Sequence, residues 1–258
     1  MDARRASSPP TDLALLGLRA EMALDGHGRL AATFGVTIVL SGEGQVLFVG
    51  SDVPDTLAQA LVNAVGTSLP APAPDGEPPA LGACRTILAP AGVPLSLQSG
   101  PCYLIEPDAL FETPTHIVRS DTPLIARPHL VNPGNWEREE WDELLEGVLG
   151  PWAMAVAEGE VVSICHTPGP MTERAAECGV WTHPDFRGRG LAAAVTATWA
   201  DILRPGGRRL FYSTDAGNRS SQRVAARLGL RLIGWTWSLT SAGRERGSQR
   251  HPLSRRSA

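Results

Sequence analysis

The chain has 258 residues, 43% hydrophobic and 19% charged, with a net charge of −4 and a pI near 5.9. This fits one large or two small globular domains and argues against nucleic acid as the main partner, which needs a strongly basic face. All 23 basic residues are arginine; Cys84, Cys102, Cys165 and Cys178 form no CxxC pair and no zinc-like spacing; and no apolar run approaches the roughly 18 residues of a membrane span. The expectation is a cytoplasmic protein with four buried thiols and no metal or membrane partner.

Residues 1–10 are polar and Pro/Ser-rich, and 244–258 are basic and polar; both read as disordered tails. The run "LALLGL" (13–18) is too short and interrupted for a signal peptide. Residues 31–50 read as strand, "SGEG" turn, strand. "VPDTLAQALVNAVG" (53–66) reads as a helix, with Leu57, Leu61 and Val65 on one face. Residues 68–83 are a Pro-rich loop. "CRTILA" (84–89), "LSLQSGPCYLIE" (95–106) and "THIVRS" (115–120) read as strands. "WEREEWDELLEGVLG" (136–150) is an amphipathic helix with Trp141, Leu144, Leu145 and Val148 on its apolar side. "WAMAVAEGEVVSICH" (152–166) is a second hairpin, similar in layout to the first. Then come a strand over 174–182, a helix over 188–203, a strand at "RRLFYSTDA" (208–216), a helix over 218–229 and a closing strand over 230–240. Strands and helices alternate, which is an α/β pattern.

The strand at 177–182 runs through a turn marked by Pro184 into Arg187-Gly188-Arg189-Gly190-Leu191-Ala192, which opens a helix. The first amides of a helix lack intrahelical partners and carry the positive end of its dipole. Glycine lets an anion approach them closely, and Arg187 and Arg189 add positive potential. A pyrophosphate suits this arrangement. A P-loop is excluded because the chain has no Lys, and Ala193 stands where a dinucleotide fingerprint needs its last glycine.

"HPDFRGRGLA" resembles the acyl-CoA loop of the GNAT N-acetyltransferase superfamily, Arg/Gln-x-x-Gly-x-Gly/Ala, here Arg187, Gly190 and Ala192. About 30 residues on, "YSTDAGNRSSQRVAARLGLRLIG" is similar to that superfamily's next motif, with Asn218, Ser221, Leu228 and Gly229 in its places. The resemblance spans about 120–240 and is closest to a bacterial branch with an additional N-terminal region. It implies a GNAT-like mixed, splayed β-sheet flanked by helices and preceded by a smaller α/β domain. The divisions it suggests are 1–118 (an N-terminal α/β region, read alternatively as a degenerate GNAT-like half), 119–243 (the acetyl-CoA-binding catalytic domain) and the tail 244–258.

The resemblance further implies acetyl-CoA as co-substrate, with no metal. The pantetheine arm would pair with the backbone at Val180 and Thr182. The pyrophosphate would lie on the amides of Arg187, Gly188, Arg189, Gly190, Leu191 and Ala192, and Asn218 and Ser221 would lie near the thioester. Glu177 is the candidate base, and the Val180 N–H is the candidate oxyanion donor. Ala225 stands where many members carry a tyrosine acid; Tyr212, on the neighbouring strand, is expected in the core. The function implied is acetyl transfer to a primary amine of a small molecule or peptide, with residues 1–118 building part of the acceptor pocket or a homodimer surface. The alternative is a non-catalytic acyl-CoA-binding regulatory module. Cys165 and His166 are neighbours, but adjacent strand residues face opposite sides.

Overall fold

The computed structural model describes residues 10–68, 73, 75–106, 117–123 and 129–241. The tails expected at 1–10 and 244–258 lie outside these residues, apart from Pro10. Among the described residues there are six α-helices and nine strands, so the class is mixed α/β. No described helix is long and apolar enough to cross a membrane. The chain divides into two compact units, 1–101 with 233–241 and 102–232 with 242–258.

In the first unit, helix α1 (Asp12–Glu21) starts at Thr11, whose hydroxyl accepts from Ala14 N–H. Strands β1 (Gly35–Ser41) and β2 (Gly44–Val49) form the expected hairpin. Helix α2 (Asp55–Gly66) follows, and Ala58, Leu61 and Val65 give it its buried face. The expected strand at "CRTILA" is instead part of helix α3 (Ala80–Leu88). Its buried residues Ala80, Leu81, Cys84 and Leu88 recur at helical spacing once the count starts after Pro79. Helices α2 and α3 share one core with Ile38, Trp237 and Leu239. Full burial of side chains such as Leu61 and Leu81 stabilises by roughly 1.5–3 kcal/mol each.

The unit that holds the N-terminal residues also takes in 233–241 from the far end of the chain. The last strand, β9 (Arg231–Ser241), runs antiparallel to β1 from Leu40↔Trp235 to Gly35↔Thr240. Strand order here is β2-β1-β9-β3, where β3 is Leu95–Ile105. Residues 95–101 of β3 belong to the first unit and 102–105 to the second.

In the second unit the strand order is β3-β8-β7-β6-β5-β4. Strands β4 (Ile117–Arg119), β5 (Trp152–Ala157), β6 (Glu160–His166) and β7 (Ala175–Thr182) pair antiparallel in sequence. Strand β8 (Arg209–Ser213) runs parallel to β7 and antiparallel to β3. The connection between β7 and β8 is helix α5 (Leu191–Leu203), and α6 (Arg219–Arg227) follows β8. Val195 and Trp199 of α5 are buried against Ala153, Cys165, Cys178 and Tyr212.

Helix α4 (Arg138–Glu146) buries Trp141 and Leu144 in a different cluster, with Trp152, Met154 and Ile164. Val148, expected on that apolar side, is 68% exposed. The helix ends before it, because Gly147 takes φ +83° and turns the chain away. All four cysteines are free and buried.

Candidate active site

The site is built on a strand that changes partners. Residues Ala175–Cys178 of β7 pair with β8, whereas Gly179–Thr182 pair with β6. Beyond Cys178 the β8 side of the strand is therefore unpaired. Backbone groups alternate in direction along a strand. His183 N–H donates to Val162 of β6 at 2.9 Å, so the odd-numbered residues point toward β6. The N–H and C=O of Val180 and Thr182 consequently face the side that β8 has vacated. The Thr182 carbonyl accepts there from Arg187 Nε at 3.3 Å.

The loop after β7 is short and bent. Gly188 and Gly190 both have positive φ, +77° and +82°, which an L side chain adopts only with strain. The first helical bond of α5 is Ala194 N–H to Gly190 O, and no side chain caps the helix. The amides of Leu191, Ala192 and Ala193 thus lie ahead of the first intrahelical bond. Arg189 donates to Asp185 O at 3.1 Å and stacks over Phe186 at 4.7 Å. A third arginine joins them. The guanidinium of Arg227, at the end of α6, lies so close to Gly190 that a Cβ there would fall 2.9 Å from its Nη2. Arg227 carries no local sequence signal, because only the packing of α6 against α5 brings it to the loop.

Glu177 is half-buried on β7 and accepts a hydrogen bond from the Ser213 hydroxyl. By strand alternation it shares a face with Gly179 and Trp181, opposite the face on which Cys178 and Val180 pack with α5. Asn218 caps α6, its Oδ1 accepting from Ser221 N–H at 3.1 Å. The Ser221 carbonyl accepts from the Tyr212 hydroxyl at 3.2 Å. Tyr212 is a core residue, and burial pushes its phenol far above the ordinary range. Ala225 is fully buried beside it. The structure therefore brings Val180, Thr182, the 187–192 loop and Arg227 to one end of β7, α5 and α6. Glu177 lies on the same strand, on its other face.

Cys165 and His166 do part to opposite faces. Cys165 lies under α5, close to Cys178. His166 packs against Trp136, with ring centroids 4.8 Å apart. Burial lowers its imidazole to about 4, and it is the neutral form that stands there at pH 7. Among the described residues no group of three or more His, Cys, Asp or Glu side chains is arranged to hold a metal.

The family model described as GNAT acetyltransferase matches residues 137–235, which contain β7, the glycine loop, α5, β8 and α6. This segment belongs to the GNAT acetyltransferase family. The GNAT segment thus runs from the start of α4 into β9. The GNAT family uses an acyl-CoA co-substrate. The chain is also similar to solved structures. A GNAT-family structure from Novosphingobium aromaticivorans DSM 12444 is 16% identical, covers 90% of this chain and 95% of its own, and has a TM-score of 0.48. A tandem GNAT protein from the clavulanic acid biosynthesis pathway is 15% identical, with coverages of 92% and 89% and a TM-score of 0.46. A GNAT-family acetyltransferase from Colwellia psychrerythraea is 13% identical, with coverages of 89% and 96% and a TM-score of 0.45. No curated protein sequence matches the chain.

Proposed function

We propose that the protein is an acetyl-CoA-dependent N-acetyltransferase acting on a primary amine of a small molecule or peptide. The observation that carries this reading is the partner change in β7. It leaves the backbone of Val180 and Thr182 turned toward an open side, next to an uncapped helix N-terminus flanked by arginines. An extended pantetheine arm suits the first feature, since it carries amides that pair with a strand edge. A pyrophosphate suits the second.

The chemistry asked of the chain is modest. The amine nitrogen bonds to the acetyl carbonyl carbon, the carbon–sulfur bond breaks, and the sulfur leaves as thiolate. Glu177 takes the proton that the amine must lose, directly or through one water. The hydroxyl of Ser213 holds its carboxylate in place. The Val180 N–H donates to the oxygen on which charge develops. Asn218 and Ser221 fix the start of α6 beside the reacting end. Tyr212 does not serve as acid in this scheme, because its proton is committed to Ser221 O and its phenol is buried. The thiolate takes its proton from solvent.

One observation favours the alternative, a non-catalytic acyl-CoA-binding module: Ala225 is fully buried where the resemblance implies an acid. The two readings part in a single experiment. Release of CoA thiol from acetyl-CoA is followed against a broad panel of amines, after calorimetry has measured CoA binding. Amine-dependent release supports the transferase; binding without release for any amine supports the module.

A further inference from the structure

Asn135 Oδ1, Trp136 Nε1 and His166 Nδ1 are among the buried polar atoms of the second unit that have no hydrogen-bond partner. Two of them belong to rings in contact. Trp136 follows Asn135 in the chain, and its ring stands edge-on to the His166 imidazole at 4.8 Å and 73°. His166 itself is 6% exposed. A single buried polar orphan is a small cost in a native fold. Two on touching rings and a third on the adjoining residue, each costing about 1–3 kcal/mol if nothing meets it, call for a partner.

The register of the sheet puts this cluster beside Glu177. His166 pairs directly with Gly179 of β7, so the two share a sheet face. Gly179 has no side chain to cover that face. Glu177 and Trp181 stand two residues to either side of it, on the same face. A diagonal cross-strand neighbour lies about 7–8 Å away, so the side chains of both strands can reach one small acceptor held between them.

We propose that Asn135, Trp136 and His166 form an acceptor subsite that binds an uncharged amide, so that the acceptor is an α-amino amide such as the N-terminus of a peptide. The proposal rests on the acetyltransferase reading. The indole N–H of Trp136 donates to the amide carbonyl, and the Asn135 oxygen and the neutral imidazole nitrogen accept from the amide N–H. The three groups carry no formal charge, so a carboxylate at the same place would be desolvated without a counter-charge from them. The imidazole stays neutral because burial has lowered it to about 4.

The test compares alaninamide, alanine and sec-butylamine as acceptors for the full chain with acetyl-CoA, alongside calorimetric titration of each amine into the CoA-loaded protein. Alaninamide is expected to be preferred at least tenfold over the other two. Trp136→Phe keeps the ring and removes the N–H; it is expected to raise KM for alaninamide about tenfold while leaving kcat, CoA affinity and the KM of sec-butylamine unchanged. His166→Phe is expected to act alike, and His166→Gln to restore part of the preference. Equal use of the three amines, or a Trp136→Phe protein that keeps the preference, overturns the subsite and leaves the cluster to buried water. Failure of CoA binding or of turnover with every amine defeats the transferase reading instead. In the case of binding without turnover, the alaninamide titration with and without Trp136→Phe still decides the subsite. Should His166→Phe not fold, the Trp136→Phe comparison decides alone.

Discussion

Gly190→Ala probes the anion loop most closely. The added methyl meets two costs. The backbone sits at φ +82°, and an L residue in the left-handed region loses about 1–2 kcal/mol. The methyl would also lie 2.9–3.0 Å from the guanidinium of Arg227. That group is the far end of a flexible side chain, so it moves aside at little cost to stability, but it then leaves the loop. Gly188→Ala is the control: its φ is +77°, and nothing lies within 4 Å of its Cβ. Both variants should therefore lose about 1–2 kcal/mol in urea unfolding. Gly190→Ala should lose more CoA affinity, by about tenfold, the worth of one charge-assisted contact near 1.4 kcal/mol. Arg227→Ala alone should weaken CoA by a similar factor. Combined with Gly190→Ala it should add little, because the first change has already displaced the guanidinium. Calorimetric titration of CoA into the four proteins reads this directly. Wild-type affinity in Gly190→Ala, or losses that multiply fully in the double variant, would refute the reasoning.

Glu177→Gln should lower kcat by about 10²–10⁴ with acetyl-CoA affinity unchanged, as read by thiol release and calorimetry; a variant of wild-type kcat removes Glu177 as the base. Tyr212→Phe should destabilise by about 1 kcal/mol through loss of the bond to Ser221 O with kcat preserved, whereas a collapse of kcat would make Tyr212 the missing acid. His166 gives the fold an acid sensitivity. Its imidazole titrates near 4 when folded against 6.5 as the ordinary value, so only the unfolded chain takes up the proton between those limits. Stability is unaffected above about pH 6.5 and falls as pH drops toward 4, by up to about 3 kcal/mol. Urea unfolding at pH 7 and pH 5 checks this, and His166→Gln should flatten the difference.

The GNAT segment was readable because its punctuation is local. Gly188 and Gly190 mark positive-φ turns, Asn218 is an N-cap, and the hairpin at 152–166 alternates as a strand pair must. The misread α3 is different. Its apolar residues Cys84, Ile87 and Leu88 look like a short buried strand when the count begins at Cys84. Its helical period emerges only with Ala80 and Leu81, which follow prolines and looked like loop. Helix α1 shows in the sequence only as a short interrupted apolar run, although Thr11 caps it and Leu15, Leu16 and Ala20 give it a buried face. Two features of the site depend on tertiary contact alone. Arg227 reaches Gly190 across two helices, and Trp136 meets His166 from 30 positions away. No local pattern announces either one. The pairing of β9 with β1 is likewise long-range, joining residues about 200 apart, and a reading in chain order places that strand with its sequence neighbours instead.

The most direct measurement is thiol release from acetyl-CoA by the full chain across a broad amine panel. The account predicts release that requires both the protein and an amine, and that falls with Glu177→Gln. CoA binding accompanied by no release with any amine would contradict it.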